Sequence, residues 1–277
     1  MNKIALGYIK TKLILCSAVN KKKAGEQMFR LFCTPLTRSI VAEQEIFKTA
    51  EKLHFIFEGK NLYGYRCHPS HKKILLLHGF SSTCQHFARF VQPLIDKGYE
   101  VLAFDAPAHG ASEGKVVNAL DYCNFIIRIN ELYGPVDGYI AHSFGGISLA
   151  LALEKMETDA HLKVVLIAPA TETSSAIDGA FKMLNLNNTI LRKSMDEVIM
   201  DKSGRPTEWF SIRRAIKSFP GQVLWIHDED DDITPLADAL KVKEDNMQNV
   251  QFIITKNLGH RRIYKDAQIV KRIVNFF

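Results

Sequence analysis

The sequence predicts an α/β chain: a mostly parallel central sheet with helices on both faces and a small helical cap inserted late. Three observations carry this. Runs such as Lys73-Ile74-Leu75-Leu76-Leu77 and Glu100-Val101-Leu102-Ala103-Phe104 are continuously apolar. They lack the alternation of a half-solvated strand, so they fit strands covered on both faces. Amphipathic segments alternate with them, the order of βαβ units. The alternation then breaks after Pro169, stays polar and strand-free from Thr171 to Phe219, and resumes at Val223.

The first 53 residues read as a helical preface to a main domain spanning 54–277, with the cap at about 170–220. Ala24 to Phe32 has an apolar face (Met28, Phe29, Leu31, Phe32), Pro35 breaks it, and Ile40 to Leu53 reads as a second helix. Phe55-Ile56-Phe57 and Leu62-Tyr63-Gly64-Tyr65 around Glu58-Gly59-Lys60-Asn61 signal a hairpin. After the strand at Lys73, His86 to Lys97 reads as a helix closed by Gly98. After the strand at Glu100, Val117 to Leu132 reads as another. Val136 to Ile140 and Leu162 to Ala168 are further buried strands, with a helix from Ile147 to Lys155 between them. Inside the cap, Ala176 to Leu184 and Met195 to Met200 are helix-like. Val223 to His227, a helix from Leu236 to about Met247, Val250 to Ile254 and a final helix from Ile263 complete the order.

Composition excludes several classes. A chain of 277 residues with 47% hydrophobic and 24% charged residues is that of an ordinary globular protein. The net charge of +6 is dispersed apart from Lys21-Lys22-Lys23 and Arg261-Arg262, and no basic run is interleaved with aromatics, so no nucleic-acid partner is expected. The five cysteines form no CxxC pair and no zinc-ligand cluster, which suits a reducing compartment and small apolar core positions. The run Asp228 to Asp232 lacks the glycine and closing glutamate of a calcium loop, so no metal is expected. There is no Walker loop and no GxGxxG after a strand, so no nucleotide cofactor is expected. Leu13 to Val19 is an apolar run behind Lys3, Lys10 and Lys12, too short for a signal core and far below the roughly 18 residues of a membrane span. A cytoplasmic protein without stable membrane insertion is the expectation, and a membrane-surface or export role is the alternative.

Chemistry concentrates where strands end. Tyr139-Ile140-Ala141-His142-Ser143-Phe144-Gly145-Gly146 has the small-x-Ser-x-Gly spacing of a nucleophile elbow, in which a strand turns sharply into a helix and exposes the hydroxyl. A serine needs a base and the base an orienting carboxylate. Downstream, His227-Asp228-Glu229-Asp230-Asp231-Asp232-Ile233-Thr234-Pro235 follows one strand and Asn257-Leu258-Gly259-His260 follows the next. With His78-Gly79-Phe80 and Asp105-x-Pro-x-x-Gly-x-Ser112, these features resemble the α/β-hydrolase fold family, specifically its single-domain serine hydrolases and esterases, over residues 54–277.

The resemblance implies a Ser-His-Asp triad. Ser143 aligns with the nucleophile and His260 with the base. Laying His227 and Pro235 on the family pattern His-Gly-x-x-Asp-x-x-Val-Pro puts Asp231 at the acid, with Asp230 or Asp232 as alternatives one residue away. Asp228 then replaces the usual glycine, Thr234 the usual valine, and Ala141 the usual first glycine of the elbow. The oxyanion donors would be the backbone N–H groups of Phe80 and Phe144. His78, His109 and Asp105 would structure that loop, His142 would pack, His227 would end a strand, and Arg261-Arg262 would be solvated, with binding of an acidic substrate group as the alternative. The implied substrate is a small-molecule carboxylic ester or thioester cleaved through an acyl-enzyme. Peptidase, lyase, acyltransferase or a non-catalytic binding protein are the alternatives on the same fold. Phe181, Met183, Leu184, Leu186, Ile190 and Leu191 in the cap would suit an apolar acyl or alcohol group, or anchor the cap.

Overall fold

The computed structural model describes residues 3–35, 37, 38 and 41–277. Eight strands form one sheet in the order β1-β2-β4-β3-β5-β6-β7-β8. The strands are β1 (Glu51–Phe57), β2 (Lys60–Cys67), β3 (Lys73–Leu77), β4 (Glu100–Phe104), β5 (Gly138–His142), β6 (Lys163–Ile167), β7 (Gln222–Asp228) and β8 (Val250–Thr255). β1 and β2 run antiparallel at one edge, and every pairing from β4 to β8 is parallel.

The continuous apolarity of the central strands has the predicted cause. Leu75 and Leu77 of β3 and Leu102 and Phe104 of β4 enter one core, while Ile74, Leu76, Val101 and Ala103 enter the other. Alternate side chains thus meet helices on opposite faces. The helices are α1 (Lys3–Val19), α2 (Lys21–Phe32), α3 (Glu45–Lys48), α4 (Ala88–Ile95), α5 (Ala119–Tyr133), α6 (Phe144–Leu153), α7 (Thr173–Met183), α8 (Thr189–Ser203), α9 (Ile212–Ala215), α10 (Leu236–Glu244), α11 (Gly259–Arg262) and α12 (Ala267–Phe276). α5 and α6 cover the first face, and α4 and α12 the second.

Two elements differ from the sequence reading. Of the helix expected from Ile40 to Leu53, only the turn α3 forms, and Ile40 itself lies outside the described residues. Glu51 to Leu53 instead open β1, because Glu58 and Gly59 take left-handed backbone (φ 49° and 70°) and fold the chain into a two-residue hairpin. Pairing with β2, and Phe55 stacking on Phe125 at 5.9 Å, outweigh local helical preference here. The last helix begins at Ala267 rather than Ile263. Asp266 caps it, accepting from the N–H groups of Gln268 and Ile269.

The segment between β6 and β7 carries α7, α8 and α9. Its apolar residues act mainly as anchors: Phe181, Leu184, Leu186 and Leu191 are buried in the first core, whereas Met183 and Ile190 face outward. The N-terminal helices join this layer, since α2 packs chiefly along α8.

Candidate active site

Ser143 ends β5 and starts α6 with φ 55° and ψ −119°, a left-handed conformation that a side chain rarely adopts. Such strain costs on the order of 1–3 kcal/mol and persists only when the surroundings enforce it. Here the Ser143 N–H donates to Ile167 O at 3.1 Å, while Ser143 O accepts from Gly146 and Ala170. Gly145 meets the end of β3 so closely that a Cβ there would sit 2.7 Å from Leu77 O. Only glycine fits, which explains its place in the elbow. Ala141, standing where glycine is usual, is fully buried in the strand before the turn.

His260 lies in the one-turn helix α11 after β8 and is buried. Its Nε2 is 3.0 Å from Ser143 Oγ and its Nδ1 is 2.9 Å from Asp231 Oδ2. Asp231, in the turn after β7, has a fully buried side chain. Burial raises its pKa, but the bond with His260 and the N–H groups of Thr234 and Ile233 outweigh it, so the carboxyl is held below its usual range. An ionised carboxylate can only accept, which places the proton on His260 Nδ1 and leaves Nε2 free to accept from Ser143.

The neighbouring aspartates do other work. Asp230 Oδ2 accepts from the Asn257 N–H at 2.8 Å, and Asp232 is exposed. Asp228, where the family pattern has glycine, is fully buried and was not singled out from sequence. Its carboxylate accepts from the N–H groups of Asp230, Leu258 and Gly259 and from Thr255 Oγ1, at 2.6 to 3.1 Å. Burial raises its pKa, and the bonds from Thr255, Gly259, Asp230 and Leu258 bring it below the ordinary value. Asp228 therefore ties the acid turn to the two residues that precede His260. Thr234 is the second missed residue: its hydroxyl lies 2.8 Å from Asp231 Oδ2 and 3.2 Å from His260 Nδ1, where valine would offer nothing polar. Arg261 and Arg262 are exposed, as solvated residues would be, and Arg262 also bonds locally. Its guanidinium donates to the carbonyls of Asn257 and Leu258, closing the same loop.

Across the elbow, Gly79 approaches so closely that a Cβ on it would be 2.9 Å from Ser143 Cβ. This brings the Phe80 backbone beside the serine. Phe144 is the first residue of α6, so its N–H has no intrahelical acceptor. The two phenyl rings meet edge to face at 5.4 Å and are partly exposed. The loop is fixed from below. His78 Nε2 accepts from the Ala106 N–H, and His109 Nε2 accepts from the N–H of Ser81, a residue with φ 55°. Asp105 Oδ1 accepts from Thr83 Oγ1 and Cys84 N, and its Oδ2 from Ala111 N. Burial pushes the His109 pKa down to about 3. His142 packs under His260, ring centroids 4.7 Å apart. Its Nε2 donates to His260 O, and burial pushes its pKa to about 3. His227 does more than end its strand: its Nε2 donates to Thr234 O at 2.9 Å, steadying the acid turn.

Fold and geometry define an open, mostly parallel α/β sheet with a serine elbow facing two later strand ends, and known proteins share the fold. The model of the alpha/beta hydrolase family matches residues 74–272, and the chain belongs to that family. It is 30% identical over 192 residues to the hydrolase YugF of Bacillus subtilis, spanning 60% of this chain and 69% of that one. A putative esterase/lipase of Mycoplasma pneumoniae is 26% identical over 125 residues, 43% of this chain and 45% of that one. Among solved structures, an esterase of Pyrococcus furiosus superposes with a TM-score of 0.64 at 20% identity, covering 87% of this chain and 96% of that one. A ferulic-acid-bound esterase of Butyrivibrio proteoclasticus gives 0.61 at 15% identity, covering 80% and 95%. The protein is a hydrolase enzyme, with esterases among its relatives.

Proposed function

We propose that the protein is a serine esterase that cleaves a small carboxylic ester or thioester through an acyl-enzyme. The observation that carries this is the continuous chain Ser143 Oγ to His260 Nε2 (3.0 Å) and His260 Nδ1 to Asp231 Oδ2 (2.9 Å) at a strained elbow. His260 takes the Ser143 proton as Oγ attacks the carbonyl carbon, and Asp231 stabilises the resulting imidazolium. The N–H groups of Phe80 and Phe144 receive the oxyanion. His260 returns its proton to the leaving alcohol or thiol. A water, deprotonated by the same Nε2, then hydrolyses the acyl-Ser143 bond.

The partly exposed rings of Phe80 and Phe144 beside the serine favour an apolar acyl group over a charged one. The segment at about 170–220 is proposed as a cap. It leaves β6 beside the elbow, where the Ala170 N–H donates to Ser143 O.

A fluorophosphonate probe tests the nucleophile. It should label the wild-type protein on Ser143, and Ser143→Ala should abolish labelling and lower ester turnover by on the order of 10⁴-fold or more. Labelling that persists in Ser143→Ala removes the assignment.

A further inference from the structure

Helix α1 carries apolar side chains on two opposite faces, and only one is covered. Leu13 and Ser17 turn inward and are buried, and Asn188 at the start of α8 donates to Ser17 Oγ at 3.1 Å. Tyr8, Lys12, Leu15 and Val19 follow helical spacing on the other face. Tyr8 is 70% exposed, Leu15 63% and Val19 90%. Ile190, just inside α8, and Met183, at the end of α7, are exposed as well. Single exposed apolar residues are common, but an aligned stripe marks a contact surface.

Charge says what covers it. Residues 7–25 hold Lys10, Lys12, Lys21, Lys22 and Lys23 and no aspartate or glutamate. Lys22 pairs with Asp201 at 3.5 Å, both largely exposed; the other four have no ion-pair partner among the described residues. A second copy of the chain would set these lysines against their own kind. An anionic lipid surface offers apolar depth to the stripe and negative charge to the flanking lysines at once. No described helix is long and apolar enough to cross a membrane. We propose that α1 and the Lys21–Lys23 turn dock the protein flat on an anionic bilayer, with Tyr8, Leu15 and Val19 entering the headgroup layer. This rests on α1 and the first turn of α2 and is independent of the chemistry at Ser143.

Vesicle flotation of the full chain tests it. The protein should float with phosphatidylglycerol-containing vesicles and much less with pure phosphatidylcholine, and binding should fall several-fold in half-molar salt, roughly the regime where the screening length drops to a few ångströms. Leu15→Ser with Val19→Ser should abolish flotation. Lys21→Gln, Lys22→Gln and Lys23→Gln together should weaken it by on the order of 100-fold, at about 1 kcal/mol per lysine. Both variants should keep the wild-type melting temperature, since none of these side chains is buried. No binding to anionic vesicles, or binding that survives the Leu15/Val19 variant, overturns the proposal. So does a wild-type dimer that this variant dissociates, which would assign the stripe to a second copy.

Discussion

Two aspartate–histidine groups flank Ser143 at the carboxyl edge of the sheet, one in the loops after β3 and β4 and one in those after β7 and β8, and they are built in opposite ways. In the first, every hydrogen bond of the two histidines is to the backbone. His78 and His109 each accept one backbone N–H and direct their other nitrogen at a carbonyl, of Gly79 and Pro107 respectively. Asp105 holds three fixed donors. Such rings are neutral struts. In the second, His260 sits between two side-chain oxygens, Nδ1 facing Asp231 and Nε2 facing Ser143, which is the arrangement the proposed transfer of the Ser143 proton requires. His78, His109, His142 and His260 are all buried, so burial does not distinguish a base from a strut. The partner's capacity to exchange a proton does.

Exchanging the roles breaks the comparison most sharply. Asp231→Asn should cut kcat on a short p-nitrophenyl ester by about 10⁴-fold, because an amide no longer holds the ring in the productive tautomer. The protein should remain folded, and Asp230→Asn should cost far less. Were Asp230→Asn the crippling change, the acid would be misassigned. Asp105→Asn should show the reverse profile: a stability loss of about 2–3 kcal/mol in urea unfolding, from disturbed charge-assisted bonds, with a smaller loss of turnover. Equal losses of turnover in both variants would erase the distinction.

Asp228 lies between these extremes. It touches no reacting atom, but it holds the two residues before His260. Asp228→Asn should lower kcat by roughly 10- to 100-fold with KM unchanged, the signature of a base displaced only in the transition state. A matched rise in KM would mark a general loosening of the site instead.

The smallest effect is in pH dependence. His109 and His142 have folded pKa values of about 3, against about 6.5 unfolded. Between those values the unfolded chain binds more protons, so stability falls as pH falls from about 6.5 towards 3, by at most about 1.4 kcal/mol per pH unit for each ring. Asp231 and Asp228 are lowered as well, from a lower ordinary value, so their stabilisation is fully present above the unfolded carboxylate value and is lost only at still lower pH. Urea unfolding at pH 7 and pH 5 should therefore show a clear loss at pH 5, and His142→Gln should reduce the slope. A flat profile would mean that these rings are not held neutral.

Much of this arrangement is legible in the chain. The strands at Lys73 and Glu100 are visible because double-sided burial makes every position apolar. The elbow is visible because Gly145 has no alternative, and the Ser, Asp, His order because each group follows a strand. The run of aspartates is less legible. Four aspartates within five residues have nearly equivalent local chemistry, and only contacts with α11 and the loop before it separate Asp231 from Asp228 and Asp230. The start of β1 was hidden because a helical pattern runs to the edge of a strand whose partner follows it.

The sequence alone determined the strand order of burial, the elbow and the separation of serine, acid turn and histidine along the chain, since these follow from local periodicity and turn chemistry. The tertiary structure decided which aspartate faces which histidine, which histidines are struts, and which face of α1 is left bare. Ser143 and His260 stand 117 residues apart, and Asp231 and His260 stand 29 apart. No local pattern spans such distances; parallel strands of one sheet bring their carboxyl ends together, and only there do these side chains meet.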